Sequence, residues 1–344
     1  MTDITIPYEE LVDLLDSIFC HAGVRAESSS ILAKNCASCE RDGALSHGVF
    51  RIPGYLGSLS SGWVDGQAEP VIEVDGPAFV RVDAANGFAQ PALEKARSVV
   101  EAKARRNGVA VLAIRNSHHF SALWPDVEGF AQNGLIALSM VNSMACTVPF
   151  DGTKAIVGTN PIAFATPVEG DLPLVADMAT SAMANGDVQI ASQKGLSIPP
   201  NHGVDRNGEP TTDADAVLDG GALLTFGGYK GSSISLMIEL LCAALTGGKF
   251  SFEVDWSAHP GAQTPHTGQL IIVIDPDFGR VNSFSSRAAL LLQELERAGV
   301  SRLPGQRRHK QREVSLRDGI QMKSDQLKKL RDYASVSMLK AASA

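Results

Sequence analysis

The chain has 344 residues, of which 44% are hydrophobic, 20% charged and 6% aromatic, a composition typical of a globular protein of about two domains. Its formal net charge of −8 argues against a general nucleic-acid-binding protein. No apolar stretch is long enough to span a bilayer, the N-terminus lacks a secretory signal, and five scattered cysteines favour the reducing cytoplasm.

Hydrophobic periodicity predicts interleaved helices and strands without a strict βαβ rhythm, which indicates an α/β (α+β) protein. In chain order we predict helices over 8–22 and 28–41, a strand over 78–83, a helix over 90–106, a strand over 109–115, a helix over 125–133, strands over 135–141, 155–166 and 172–178, a buried helix over 230–245, a strand over 270–276, and helices over 284–298 and 324–341. A turn-rich stretch is predicted up to about residue 77, and a polar, hairpin-like region over 195–222.

The connection at 44–51 holds the first candidate site. Ser46 and His47 precede a glycine, and Arg51 follows four residues after the histidine. An imidazole can supply a proton near neutral pH, and a guanidinium can hold a carboxylate through two N–H bonds. The same residues could equally form a helix cap and a surface pair.

Two further polar clusters are candidates for a cleft. Residues 116–120, with two adjacent histidines, follow the strand at 109–115; extended neighbours point to opposite faces, so we expect no metal site there. Gly158-Thr159-Asn160-Pro161 is followed by Asp177 and by 185–187, a pattern that ordinary turn chemistry also explains. Residue spacing alone does not distinguish an enzyme from a binding module.

The glycines exclude two nucleotide motifs. No two glycines stand two residues apart, so the G-x-G-x-x-G fingerprint is absent, as is G-x-x-x-x-G-K-[ST]. The glycine-dense segment 226–232, just before the predicted buried helix, could cradle a phosphate or simply form a tight turn with an exposed lysine.

Charge is unevenly distributed along the chain. Residues 301–344 carry 11 basic and 4 acidic side chains, although the whole chain is acidic. This excess indicates either a local anion site or a solvated helical surface. Cys36 and Cys39 form a CxxC inside a predicted helix, where two small helix residues are the simpler interpretation than a zinc or redox site.

Taken together, ALSHGVFRIPGY, RNSHHFSALWP, GTNPIAFATP, DMATSAMANGD, FGGYKGSSISLMIELL and SRLPGQRRHKQR resemble the type-2 malate/L-lactate dehydrogenase family from about residue 5 to 320. SHHFSALWPDVE, GGKFSFEVDWSAHPGAQTPHTGQL and RLPGQRR resemble its branch that reduces cyclic imino acids with NADPH. The resemblance implies a homodimer and a non-Rossmann nucleotide-binding fold, with a mixed, largely antiparallel sheet plus a helical domain built from both termini. It places the helical, substrate-side domain at 1–75 with 285–344, and the sheet domain at 76–284.

The resemblance also implies roles for individual residues. His47 matches the proton donor, and Ser46 and Asp187 match its catalytic partners. Substrate-binding positions are Arg51, Thr159, Asn185 and Gly186. Cofactor-binding positions, for NADPH or NADP+, are His119, Phe120, Ser121, Ala122, Leu123, Asp177, Met178, Ala179, Tyr229, Lys230, Gln306, Arg307, Arg308, His309, Lys310, Gln311 and Arg312; no metal is implied. The family often has His where Asn185 and Tyr229 stand, which puts the substrate range in question.

The implied reactions are the reduction of Δ1-piperideine-2-carboxylate to L-pipecolate and of Δ1-pyrroline-2-carboxylate to L-proline. The alternative within the family is an NAD(P)-dependent 2-hydroxy acid dehydrogenase acting on malate, lactate or ureidoglycolate. A catalytically silent nucleotide-binding protein that senses redox state is a third interpretation, although such a sensor has no need of a proton donor beside a carboxylate clamp. A purely structural oligomer is a fourth.

Overall fold

The structure is a computed structural model that describes residues 3–279 and 283–335. Its helices are α1 Tyr8–His21, α2 Ala26–Arg41, α3 Ile52–Ser60, α4 Ala89–Asn107, α5 Trp124–Gln132, α6 Asn185–Gln193, α7 Ala214–Leu218, α8 Tyr229–Glu239, α9 Phe284–Arg297, α10 Gln306–Asp318 and α11 Ser324–Ser335. Short 3₁₀ turns span Leu45–His47, Val49–Arg51 and Ser251–Glu253, and a π-helical turn spans Leu240–Leu245. Within the described ranges, no helix combines the length and apolarity needed to cross a membrane.

The strands are β1 Asp3–Ile6, β2 Val71–Asp75, β3 Phe79–Phe88, β4 Val109–His118, β5 Ile136–Val141, β6 Thr147–Val148, β7 Ile162–Thr166, β8 Leu174–Met178, β9 Gly203–Val204, β10 Pro210–Thr211, β11 Ala222–Leu224, β12 His266–Ile274 and β13 Ile320–Lys323. Seven of them form the main sheet, in the order β2-β3-β4-β12-β5-β7-β8. Only β3 and β4 run parallel in that sheet. The predicted mixed, largely antiparallel sheet is therefore confirmed, and it differs from the mostly parallel Rossmann sheet.

Helices cover both faces of the main sheet. On one face, α4 and α5 pack on the sheet through a core of small and branched side chains such as Ala96, Val127 and Leu112. On the other face, Ile238 of α8 and Cys242 of the π-helical turn contact Ala113 of β4 and its neighbours. Since the central strands are buried on both sides, β12 contains the apolar run expected of an interior strand, over residues 270–274.

A second core lies in a helical layer built from both ends of the chain. β1 pairs antiparallel with β13, and α1, α2, α3 and α11 pack around them. Tyr55 of α3 is fully buried there, with ring centroids 5.3–5.4 Å from Phe19, Phe88 and Phe120. This aromatic cluster joins the helical layer to the segment that follows β4. The helical layer agrees with the predicted fold class, while the domain boundaries at 75/76 and 284/285 stay a prediction.

Several predicted elements are wrong in detail. The strand predicted over 155–166 begins only at Ile162, because Asn160 has a φ of +36° and Pro161 has no N–H to donate. The stretch 52–60, predicted as turns, is α3, and the helices α6 and α10 are absent from the predicted elements. The end of the helix predicted over 324–341 lies outside the described residues.

The helix predicted over 230–245 is helical but not buried. Leu236 and Met237 are each 57% exposed, and Leu240 is also more than half exposed. One face packs on the sheet, while the other, equally apolar, faces away from it. An all-round apolar helix predicts burial on every side, so in the single chain one side lacks its cover.

Candidate active site

A cavity of about 920 Å³ gathers most of the predicted site residues. They come from the connection at 44–51, the segment after β4, the segment before β7, the end of β8, the start of α6 and the start of α10. The predicted residues that line it are Ser46, His47, Arg51, His119, Phe120, Ser121, Ala122, Leu123, Thr159, Asp177, Met178, Ala179, Asn185, Gly186, Asp187, Arg307 and Arg308. Those that do not line it are Tyr229, Lys230, Gln306, His309, Lys310, Gln311 and Arg312.

The connection carries His47 on the first of two 3₁₀ turns. The Ser46 hydroxyl lies 3.1 Å from His47 Nδ1, which leaves Nε2 as the ring nitrogen that can exchange a proton with a ligand. Burial is the main cause that lowers the pKa of His47 to about 3, and the nearby charge of the Arg51 guanidinium acts in the same direction. The imidazole is therefore neutral at neutral pH in this environment.

Arg51, on the second 3₁₀ turn, is a buried cation that pairs with no carboxylate of the described residues. It is 8% exposed, its guanidinium carbon lies 4.4 Å from the centre of the Phe120 ring, and it donates a long hydrogen bond of 3.4 Å to Gln189. Its Nε has no partner, and within the described residues no carboxylate oxygen comes within 4.0 Å of it. Burial lowers the pKa of Arg51 to about 10. An unpaired buried charge is costly, so this geometry suits an anionic ligand.

The start of α6 lies against this connection. A Cβ on Gly186 would stand 2.6 Å from the Arg51 guanidinium and 3.2 Å from Ser46 Cβ, so any larger residue there would displace the guanidinium. Asn185 and Asp187 flank that glycine in the first turn, and both line the cavity. Asp187 is close enough for its charge to favour the charged form of Arg51. The helix start thus brings a carboxylate and an amide to the site.

The segment after β4 is held by two carboxylates, of which Asp126 is buried and Asp177 half-buried. His119 Nε2 lies 2.8 Å from an Asp126 carboxylate oxygen, which also accepts a hydrogen bond of 2.7 Å from Gln269. Asp177 accepts the backbone N–H groups of Leu123 and Trp124 at 3.0 and 2.8 Å. The sequence analysis missed Asp126 and Gln269, since a pair separated by 143 residues leaves no local signal.

Only part of the basic segment 306–312 reaches the cavity. Arg307 and Arg308 line it, and Arg308 also donates to the Val175 carbonyl at 3.0 Å. Arg312 instead donates to Asp42 and Glu128, which ties α10 to α2 and α5. The segment therefore combines cavity-lining and anchoring side chains.

The glycine-dense loop lies apart from the cavity lining. Gly227 and Gly228 have φ values of +56° and +58°, and α8 begins directly after them. Tyr229 is exposed with its ring 6.3 Å from that of Phe150, and Lys230 is also exposed. The predicted phosphate contact of this loop stays a prediction.

Comparisons with known proteins place the chain among dehydrogenases. A family model described as malate/L-lactate dehydrogenase matches residues 6–331. The Δ1-pyrroline-2-carboxylate/Δ1-piperideine-2-carboxylate reductases of Pseudomonas syringae pv. tomato and Pseudomonas putida are 59% and 56% identical, covering 96% of this chain and 96% and 97% of theirs. The crystal structure of Δ1-piperideine-2-carboxylate reductase from the former organism superposes with a TM-score of 0.94 at 59% identity, covering 96% of this chain and 99% of that one.

Proposed function

The chain belongs to the malate/L-lactate dehydrogenase family, and we propose that it reduces cyclic imino acids with NADPH, with His47 as the proton donor. The proposed reactions convert Δ1-piperideine-2-carboxylate to L-pipecolate and Δ1-pyrroline-2-carboxylate to L-proline. The names of the two Pseudomonas relatives support this substrate class. The observation that carries the proposal is the buried Arg51 guanidinium, which lines the cavity without a carboxylate partner among the described side chains.

Arg51 would hold the carboxylate that both substrates share. Its planar fork can donate two parallel N–H bonds to one carboxylate, which fixes the substrate in orientation as well as position. The neighbouring Thr159 and Asn185 also line the cavity and can donate hydrogen bonds to the same group. Fixed orientation lowers the entropic part of the barrier to the reaction.

His47 would move the proton. Burial is the main cause of the low pKa of His47 and the charge of Arg51 is the second. A substrate carboxylate on Arg51 would offset that second cause and so raise this pKa when substrate binds. Protonated His47 then donates to the imine nitrogen, and the carbon–nitrogen double bond becomes single. Asp187, on the helix start that lies against this connection, would favour the charged imidazole, while Ser46 holds Nδ1. In the reverse direction neutral His47 accepts the proton from the amine.

The far part of the cavity fits a nicotinamide nucleotide. The whole cavity has a volume of about 920 Å³, near the upper end of the roughly 300–1,000 Å³ of small-molecule sites, so it has room for more than a small imino acid. Trp124 Nε1 is buried there without a partner, and Arg307 and Arg308 stand at the same end. The cofactor would supply the hydride that reaches the imine carbon.

We assign the preference for NADPH to Arg307 and Arg308. Arg307 and Arg308 both line the cavity, whereas the Arg312 guanidinium forms ion pairs with Asp42 and Glu128. The 2′-phosphate distinguishes NADPH from NADH, and arginine binds phosphate oxygens through charge-assisted hydrogen bonds. Asp177 and the segment His119–Leu123 would contact the rest of the nucleotide.

The protein would act as a homodimer. The outward face of α8 and the π-helical turn exposes Leu236, Met237 and Leu240, and every described residue of α9 is at least partly exposed, including Leu291. Contiguous exposed apolar side chains of this kind are typical of an interface. Light scattering should give the mass of two chains, and Leu240→Asp should give the mass of one.

The free cysteines also suit a reducing compartment such as the cytoplasm.

Reduction of 2-keto acids is the second candidate function, because the same Arg51–His47 pair can serve a carbonyl in place of an imine. The deciding experiment follows NADPH oxidation with Δ1-piperideine-2-carboxylate, Δ1-pyrroline-2-carboxylate and pyruvate at equal concentration, and repeats the series with NADH. We expect the imino acids to exceed pyruvate in kcat/KM by at least about tenfold. A higher kcat/KM for pyruvate would assign the protein to the hydroxy acid dehydrogenases.

A further inference from the structure

Glu40 is a buried carboxyl group outside the cavity that contacts the connection bearing His47. It lies in the last turn of α2 and is 4% exposed. Its Oε2 accepts a buried hydrogen bond of 3.0 Å from the backbone N–H of Val49. We propose that Glu40 is a positioning residue that sets the geometry of His47 and Arg51 by capping this N–H group. The proposal concerns the site of the proposed function and rests on that function only for its kinetic readout.

The capped N–H stands at the point where the two 3₁₀ turns meet. His47 ends the first turn, Val49 begins the second, and Arg51 ends it. The first N–H groups of a helical turn have no partner within the turn and need one from outside. His47 N and Arg51 N are bonded inside the connection, to the carbonyls of Ala44 and Gly48. Glu40 supplies the external acceptor, two residues from each functional side chain.

Close packing shows that the connection rests directly on Glu40. A Cβ at Gly48 would lie 2.1 Å from Glu40 Oε2 and 3.0 Å from the Glu40 backbone nitrogen. The backbone between His47 and Val49 therefore crosses α2 at a distance that only glycine allows. A change in the length or shape of the side chain at residue 40 must displace this backbone.

Burial of the Glu40 carboxyl group costs free energy. Burial raises the pKa of Glu40 to about 7, and among the contacts that act on this pKa only the Val49 hydrogen bond lowers it. No described cation pairs with it within 4.0 Å. A buried acid that serves only packing would be better replaced by an apolar residue of the same size. The hydrogen bond that Glu40 accepts from the connection is a role that an apolar residue could not fill.

The experiment compares three variants that differ in the acceptor at residue 40. Glu40→Gln keeps an oxygen at the same reach, Glu40→Asp keeps the charge but withdraws the oxygen by one methylene, and Glu40→Met keeps the length without a strong acceptor. Ser29→Ala is the matched control, since Ser29 is a buried polar residue of the same helix that bonds only to α1 and its neighbours.

We expect kcat/KM for the best imino acid substrate to fall about 10- to 100-fold in Glu40→Asp and Glu40→Met, because sub-ångström to 1 Å displacements of catalytic groups have effects of this order. Glu40→Gln should stay within about threefold of the wild type, as should Ser29→Ala, and the Kd for NADPH should be unchanged in all four. Equal losses in Glu40→Gln and Glu40→Asp, or no loss in Glu40→Asp and Glu40→Met, would overturn the proposal.

A second readout does not depend on the substrate. In protein labelled at the histidine Cε1 carbons, the His47 resonance, assigned through His47→Gln, should shift in Glu40→Asp and Glu40→Met and stay in place in Glu40→Gln. If the imino acids are not substrates, this resonance still decides whether Glu40 positions His47. An unshifted His47 signal in all three variants contradicts the proposal even if the proposed function is correct.

Discussion

Replacement of Arg51 separates the two effects that its guanidinium has on the site. Lysine keeps the positive charge but cannot form the planar two-bond contact with a carboxylate. Each charge-assisted hydrogen bond contributes about 1.5–3 kcal/mol, so loss of one bond should raise KM for an imino acid about 10- to 150-fold. Methionine removes both bonds and the charge, and its KM should rise further still.

The assay pairs each imino acid with a cyclic imine that has no carboxylate. In the wild type, Δ1-pyrroline-2-carboxylate should be reduced with a kcat/KM at least about 100-fold above that of 1-pyrroline. In Arg51→Met this ratio should approach one, because the variant has no cation to recognise the carboxylate. A wild-type enzyme that reduces 1-pyrroline as well as the carboxylated imine would refute the assignment of Arg51 as the clamp.

The same pair of variants tests the electrostatic link between Arg51 and His47. The charge of Arg51 is one cause of the low pKa of His47, second to burial. Removing the charge in Arg51→Met should therefore raise the pKa of His47 part of the way from about 3 towards its ordinary value, whereas Arg51→Lys should leave it nearly unchanged. NMR titration of the His47 ring measures both values, and equal pKa values in the two variants would show that the charge has no effect.

Three other outcomes follow from the structure. His47→Ala should lower kcat by about 10²–10⁴-fold with an unchanged Kd for NADPH, and a variant that keeps a tenth of the wild-type kcat would remove His47 from the mechanism. Neutralising Arg307 and Arg308 together should weaken NADPH about 100-fold and spare NADH; an unchanged ratio of the two dissociation constants contradicts the phosphate assignment. Burial lowers the pKa of His118 to about 3. Below about pH 6.5 the unfolded chain therefore binds a proton on this histidine that the folded chain does not bind. The free energy of unfolding consequently decreases as the pH is lowered. At pH 5 this amounts to about 2 kcal/mol, and urea unfolding of His118→Gln should show a correspondingly smaller difference between pH 7 and pH 5; an identical difference in both proteins would contradict this account.

Local patterns predicted the long amphipathic helices and most strands of the main sheet, although β2 was missed and β7 is shorter than predicted. The helices α1, α2, α4 and α5 and the strand β4 lie within a few residues of their predicted positions, because each has strong periodicity and a glycine or turn at its end. The helix α3 was missed because its glycines and serines resemble turn residues, although its buried Tyr55 supplies the packing that stabilises it.

The site was predictable in part, and the limits have a physical cause. Sequence order placed Ser46, His47 and Arg51 on one connection, and the structure keeps them there. It could not show which basic residues of α10 face the cavity, since nearly every position in that helix start is polar. The orientation depends on Asp42 and Glu128, far away in the chain, which hold Arg312. Nor could it show Glu40, a single acid in a helix that otherwise looks ordinary.

The pairing of β1 with β13 has a consequence for the order of assembly in the cell. Residues 3 and 323 are register partners, so the helical layer that carries His47 gains its second strand only after the more than 300 residues between them have been synthesised. The seven-stranded main sheet can form earlier, from strands that have already left the ribosome. Until β13 arrives, buried faces of α1 and α2 remain open to other apolar surfaces, which makes the nascent N-terminal segment a natural client for chaperones. A chain that ends before Ile320 should accordingly fold its sheet yet aggregate through its first two helices.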